Sequence, residues 1–336
     1  MENKDFERLF EEYLKSAPNK QTIHYWNLPD GFCVRLRRPI KGIPFRGPTN
    51  SITIGKLKRN FWFNHKIEKE ITSLTTWRNR KHEINIDLPL SLVTKDYVEL
   101  YSLMLSEGSY RNKFVLHVPE EEFHQIFVNN LKKLFGNQLL INQVIDKGVK
   151  KSTAPEKMKY LIPIPTHIPK FILINKKLSK IYLKIAFEAE SNPRYKILKN
   201  GAVNRRIKLS RNLGIDDLIK EKLPYKEDER VYFGKLKKDY PDLAKEILNN
   251  PCSIILGERL MLKKHFDIDT SLYPEYLRIN KTSFRRGKVS VKWILTIHSI
   301  NINKFVKEIG FITKHKEEIA NRMLNVNLQR PNYFAL

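Results

Sequence analysis

The chain has 336 residues, 41% of them hydrophobic, and sets 62 Lys and Arg against 36 Asp and Glu, a formal net charge of +26. That length can fill two or three domains with a sizeable core, and no apolar run approaches the roughly 20 residues of a membrane span. So large a positive charge points toward a polyanionic partner, nucleic acid first, because such a field attracts phosphates whatever their sequence; the competing reading is solubility charge in a Lys-rich proteome.

The two cysteines, Cys33 and Cys252, belong to no CxxC pair, so they announce neither a zinc site nor a disulfide framework. The start MENKDFERLF is charged rather than signal-like. An intracellular, cytoplasmic protein is expected.

Residues 1–92 read as a separate basic module. A short polar helix, Asp5 to Leu14, precedes HYWNLPDGFCVRLRRPIKGIPFRGPTNSITIG, where Pro and Gly punctuate short β-like runs. Its cluster Arg35, Arg37, Arg38, Lys41 and Arg46 lies among Trp26, Phe32 and Phe45. Such a cluster is either a phosphate-binding arm or a solvated loop.

Residues 93–177 form a first half. Thr94 to Glu107 is expected as a helix with Thr94 as N-cap and Asp96 in its first turn. From Val98 to Leu105 it is apolar on nearly every face, the mark of a helix buried on all sides. A strand KFVLHV, an amphipathic helix Glu120 to Phe135, and two alternating runs, LLINQVI and KMKYLIPIP, follow as expected strands.

Residues 178–336 repeat that order. Helix Ser179 to Glu190 leads to RYKILKNGAVNRRIKL, whose Asn200-Gly201 is a hairpin turn signal. A charged insertion near 212–250 intervenes, and then come a helix, SIILGERLMLKKHF, and strands EYLRIN and VSVKWILTIHS. LKKLF at Leu131 and LKKHF at Leu262 end equivalent helices. The chain is internally duplicated, and an α+β fold of two pseudo-twofold-related halves is expected.

Both buried-looking helices end on an acid, Glu107 and Glu190. If they pack side by side, with Ser102, Ser106, Ala186 and Ala189 permitting the approach, the two carboxylates emerge together at the negative helix ends. Two such charges repel unless a cation neutralises them. Mg²⁺, or Mn²⁺ in its place, takes carboxylates and completes its shell with water and phosphate oxygens, and a pair of such ions supports in-line hydrolysis of a phosphodiester. For each glutamate alone, a solvated helix-terminal acid is the plainer reading.

The residues themselves resemble a known family. Set against the nonapeptide of the LAGLIDADG homing endonucleases, LYSLMLSEG keeps Leu100, Leu103, Glu107 and Gly108, while LKIAFEAES keeps Leu183, Phe187, Glu188, Ala189 and Glu190. THIPKFILINKKLSKIYLKIAFEAES is similar to the family's approach to the second motif, and WILTIHSININKFVKEIGFITKHKEEI to its closing segment. The resemblance covers about residues 83–325. It implies two α/β halves whose antiparallel sheets form a DNA-binding saddle, and a monomeric, metal-dependent, site-specific double-strand DNA endonuclease. The motif acids that hold metal are then Glu107 and Glu190, and the basic residue near the scissile phosphate is Lys316, with Lys314 second; a solvated helix-start lysine is the alternative for both. One departure is Ser191, where the family has glycine. A left-handed cap there would cost serine on the order of 1 kcal/mol; Asn192 can take that role one residue later, with Pro193 preventing continuation, so the change is read as tolerated, with a nickase or an inactive relative left open.

Saddle strands should display DNA-reading side chains at alternate positions. Candidates are Lys196, Lys199, Arg205, Arg206 and Lys208 on the second half's first hairpin, and Lys281, Arg285, Arg286, Lys288 and Lys292 on or near its last. They include residues of both strand faces, so about half are expected as contacts. An intein is not expected, since the chain starts with Met1 and ends NYFAL. The alternative within the resemblance is a non-catalytic nucleic-acid binder, an RNA-splicing maturase that would take structured RNA or a DNA-binding regulator. A protein-interaction module with incidental charge is the third reading.

Overall fold

The computed structural model describes residues 3–41, 50–76, 79–109, 114–165, 167–198, 203–215, 228–280 and 288–325. The chain divides into two compact units, one of residues 18–165 and 169–182, the other of residues 1–17, 166–168 and 183–336. The fold is α+β and its sheets are antiparallel.

Helix α1 (Asn3–Ser16) belongs to the second of these units. Its apolar face, Phe6, Phe10, Tyr13 and Leu14, is buried. The first unit begins with β1 (Thr22–Ile23), β2 (Phe32–Leu36), β3 (Ser51–Thr53), α2 (Ile54–Phe61), α3 (His65–Glu68), β4 (Ile71–Thr76), β5 (Asn79–Asn85) and β6 (Leu90–Ser91). Four of the strands form a sheet in the order β3-β2-β4-β5, and β1 pairs with β6. Thr53 caps α2 by accepting from the Lys56 N–H at 3.3 Å, which satisfies one of the donors a helix start leaves open.

The first acid-ended helix is α4 (Lys95–Glu107). Thr94 caps it through the Tyr97 N–H at 3.2 Å, as expected. Tyr97, Val98 and every residue from Leu100 to Met104 are buried, so the helix is enclosed on all faces. β7 (Gly108–Ser109), β8 (Phe114–His117), α5 (Glu121–Phe135), β9 (Asn142–Asp146) and β10 (Val149–Ala154) follow, and the sheet runs β7-β8-β10-β9. Buried Phe123, Phe127, Leu131 and Phe135 make the i, i+4 stripe of α5. One expected strand is corrected. KMKYLIPIP contains the helical turn α6 (Met158–Leu161), and the strand is instead VKKSTA. Pro155, Pro163 and Pro165 have no N–H to give a ladder, so the apolar residues Met158, Leu161 and Ile162 are buried without pairing.

After α7 (Lys170–Ile174), helix α8 (Lys176–Glu190) contributes its first residues to one unit and its last to the other. The Ser102 hydroxyl of α4 donates to the Tyr182 carbonyl of α8 at 2.9 Å, a contact that a larger side chain would prevent. β11 (Ser191–Ile197), β12 (Val203–Gly214), β13 (Arg230–Tyr232), α9 (Phe233–Asp239), α10 (Pro241–Asn249), α11 (Ser253–Phe266), β14 (Thr270–Ile279), β15 (Val289–His298), α12 (Ser299–Glu308) and α13 (Lys314–Asn325) complete the chain. This sheet runs β11-β12-β15-β14-β13. The expected insertion supplies the edge strand β13 and helices α9 and α10; the hairpin tip Asn200-Gly201 lies outside the described residues. Leaving the insertion aside, both halves run helix, strand, strand, helix, strand, strand, and both sheets order their strands first, second, fourth, third. The duplication read from LKKLF and LKKHF is therefore also a duplication of topology.

Candidate nucleic-acid interface and metal-binding acids

Glu190 closes α8, and the chain enters β11 at the next residue. The carboxylate thus sits at the negative end of the helix, where a second negative charge is unfavourable. Its Oε1 accepts from Arg211 Nη1 at 3.3 Å. Arg211 comes from β12, in the same strand register as the buried Ile207 and Leu209, and its side chain is only 5% exposed. The same guanidinium donates through Nη2 to Glu258 Oε1 at 2.6 Å and through Nε at 3.2 Å; Glu258, on α11, is fully buried. One guanidinium is therefore shared by two carboxylates. Burial raises the pKa of Glu190; Arg211 opposes the rise, Glu258 adds to it, and Lys316 and Lys292 oppose it more weakly.

Two positions earlier, Glu188 has a different job. Its carboxylate accepts from the Ile312 N–H at 2.6 Å, the Thr313 N–H at 3.2 Å and the Thr313 hydroxyl at 2.7 Å, capping the start of α13. Lys316, in the first turn of α13, donates from Nζ to the Glu188 carbonyl and, at 3.0 Å, to the Ser191 carbonyl. Its ammonium therefore covers carbonyls at the C-terminal end of α8, close enough to Glu190 to bias that carboxyl's ionisation. Lys314 is exposed at the helix start.

The expectation that glycine follows the motif acid in a left-handed cap is overturned. Gly108 has φ −87°, extended backbone open to any residue. Glycine is favoured there for space, since a Cβ would lie 2.7 Å from the Met104 carbonyl oxygen. At Ser191 φ is likewise not positive, and the hydroxyl donates to the Phe187 carbonyl. Serine at that position satisfies a carbonyl of the last helical turn and carries no backbone strain.

Alternation along β11 and β12 sorts the basic candidates. Pro193, Ile207 and Leu209 face the core, so Arg194, Arg206 and Lys208 lie on the opposite, open face. A cleft of about 370 Å³ on that face is lined by Glu190, Arg194, Arg206, Lys208, Glu275 and Lys292. Arg194 and Arg206 are directly cross-strand, a like-charge pairing that destabilises a sheet unless an anion bridges it. Lys292 pairs with Glu275 at 3.0 Å and lies 5.4 Å from the Tyr276 ring centroid, and Lys208 is 5.9 Å from that of Tyr273. Arg205 takes the core-side register with Ile207. Lys196 and Lys288 are exposed.

In the N-terminal region Arg35 pairs with Glu83 at 3.2 Å and Arg38 with Glu70 at 3.0 Å, while Arg37 and Lys41 are exposed. Arg46, Lys199, Lys281, Arg285 and Arg286 lie outside the described residues. Glu107 ends α4 in the other unit, half-buried. Sequence reasoning missed Arg211, Glu258 and Arg194. A signal for the first two was present: Arg211 falls on the apolar alternation of β12, and Glu258 interrupts IILGERLML, two opposite charges each displaced into a core pattern.

No protein-family model matches the chain, and no curated protein matches it either. Among solved structures it is similar to the N-terminal LAGLIDADG domain of DUF199/WhiA, with 13% identity over 68% of this chain and 89% of that one and a TM-score of 0.36. It is similar to full-length DUF199/WhiA from Thermatoga maritima, with 14% identity over 71% of this chain and 63% of that one and a TM-score of 0.37. It is also similar to I-DmoI, solved in complex with DNA and Mn, with 13% identity over 65% and 97% of the two chains and a TM-score of 0.33.

Proposed function

We propose that the chain binds double-stranded DNA as a monomer and hydrolyses its phosphodiesters at Glu107 and Glu190 with Mg²⁺ or Mn²⁺. One observation carries this reading: two halves share the same helix and strand order and the same sheet order, and each opens on a buried helix that ends in a glutamate. The donor chemistry fits a hard divalent cation. Both acids offer carboxylate oxygens at helix ends of negative potential, and burial of Glu190 gives its anion a reason to seek positive charge. When bound, the ion would stabilise charge on the phosphate and lower the pKa of a water.

The chain's own residues supply the rest. Arg194, Arg206 and Lys208 present positive charge beside Glu190, suited to holding a phosphate backbone. Arg211 fixes the direction of the Glu190 carboxylate. The exposed members of the cluster Arg35, Arg37 and Arg38 extend the proposed footprint into the N-terminal region. A second reading, a non-catalytic binder, is favoured by Arg211 itself, which already gives Glu190 a cation.

Selection of bound fragments from random duplexes, followed by cleavage of the winner in Mg²⁺ and Mn²⁺, separates the two. Glu107→Gln and Glu190→Gln should each abolish cleavage while duplex binding without metal survives or tightens. Tight binding of the selected site with no cleavage in either metal would reject the nuclease and promote the binder.

A further inference from the structure

Away from the motif acids, the N-terminal region brings His24, His65 and Glu68 together. The Glu68 side chain is fully buried. Its Oε2 lies 3.0 Å from His24 Nδ1 and 3.3 Å from His65 Nδ1, and its Oε1 accepts the Tyr25 N–H at 3.0 Å. Ligand atoms of all three residues lie within 4.8 Å of one another. A buried carboxylate is costly without a counter-charge, and among the described residues neither lysine nor arginine pairs with Glu68. In a tetrahedral zinc site with bonds of about 2.0–2.1 Å, ligand atoms stand about 3.3 Å apart. The two nitrogen-to-oxygen separations match that spacing.

The rings are also held. Trp26 stacks on His24 at 4.3 Å and 5°, and meets His65 edge-on at 5.0 Å. Phe63 packs on Trp26 at 5.1 Å. Asn64 caps α3 through the Lys66 and Ile67 N–H groups at 3.0 and 3.2 Å, which sets His65 and Glu68 one turn apart on the same face. Packing of this kind fixes donor directions before an ion arrives. The imidazole of His65 is 63% exposed, so the cluster opens to solvent on one side, where water can complete a coordination shell.

We infer that His24, His65 and Glu68 form a binding site for a single Zn²⁺ ion that ties the Tyr25–Asn27 turn to α3. Two imidazoles and one carboxylate are the donor set of a borderline cation, which separates this site from the all-oxygen chemistry suited to Glu107 and Glu190. It is independent of the nuclease reading, because its ligands and its readout are different.

The test uses the full chain, stripped with chelator, dialysed and titrated with Zn²⁺ by calorimetry and with Co²⁺ by visible absorption. One equivalent is expected to bind, with the ligand-field absorption of a tetrahedral ion, and to raise the thermal midpoint. His65→Ala, an exposed change that leaves Glu68 in place, should weaken that equivalent by more than about tenfold, the loss seen even for outer-shell partners. Glu68→Gln should remove it, with far-UV circular dichroism confirming a folded chain; if that variant unfolds, His24→Gln serves in its place. Glu107→Gln and Glu190→Gln together should leave it intact. No zinc-saturable equivalent, or one that His65→Ala and His24→Gln leave unchanged, would overturn the site.

Discussion

Replacing Arg211 should be costly. Arg211→Met removes a guanidinium that is 5% exposed and leaves Glu258, fully buried, without the charge that meets it at 2.6 Å. Breaking a buried ion pair by deleting one partner costs about 3–5 kcal/mol, because the remaining charge stays out of water. For a unit of this size each kcal/mol lowers the thermal midpoint by about 2–4 °C, so a fall of about 6–20 °C is expected. Replacing both partners with apolar residues, as in Arg211→Met with Glu258→Leu, removes the Glu258 carboxylate as well and should recover part of the loss, while Glu190 still loses the guanidinium it shares. Urea denaturation followed by circular dichroism, with calorimetry for the midpoint, measures both. A single variant that loses less than about 1 kcal/mol, or a double variant as unstable as the single, would show that the pair does not hold this core.

Three other outcomes are expected. Changing Arg206 and Lys208 to Gln should reduce the slope of log affinity against log salt by about 0.9 for each phosphate no longer neutralised, and an unchanged slope would place the DNA elsewhere. Gly257→Ala brings a Cβ within 2.6 Å of the Tyr13 hydroxyl, so the unit should lose about 1–3 kcal/mol by overpacking, and Tyr13→Phe should relieve part of it; a wild-type denaturation midpoint would contradict the close approach. Burial pushes the pKa of Lys157 down to about 8 from 10.5, so its folded value lies below its unfolded one. The unfolded chain then binds the extra proton between those values, and stability should rise with pH from about 8 to about 10.5, by at most on the order of 3 kcal/mol. Lys157→Met should flatten that rise, and denaturation at several pH values across the window would detect a profile that stays steep.

Much of this fold could be read directly. Helix α4 has its cap, its first-turn acid and its all-round burial written within Thr94 to Leu105, since capping and burial depend on neighbouring residues. The repeat is visible because LKKLF and LKKHF keep similar endings on equivalent helices. KMKYLIPIP misleads because an apolar run looks alike whether its residues are buried by pairing or by packing, and its prolines weigh against the ladder only once neighbours are known. The glycine after the first motif acid answers to a clash with Met104, a matter of distance that a dihedral preference cannot foresee. The cluster of His24, His65 and Glu68 is half legible: the i, i+3 spacing of His65 and Glu68 lies in the sequence, but His24 reaches them through a turn some 40 residues away.

The N-terminal helix has a consequence for how the protein is made. Its buried residues Phe6, Phe10, Tyr13 and Leu14 belong to the unit that holds residues 183–336, and the Tyr13 hydroxyl donates to the Ser253 carbonyl at 2.7 Å. α1 leaves the ribosome more than 200 residues before α11. At about 5–20 residues per second, α1 waits roughly 10–50 s with its apolar face unburied. The half that carries Glu190 therefore cannot close over α1 until α11 has been made, and its folding joins segments more than 200 residues apart. A fragment that begins after residue 17 would leave that half without the Tyr13 side chain that packs on Gly257, so damage in α1 is felt at α11.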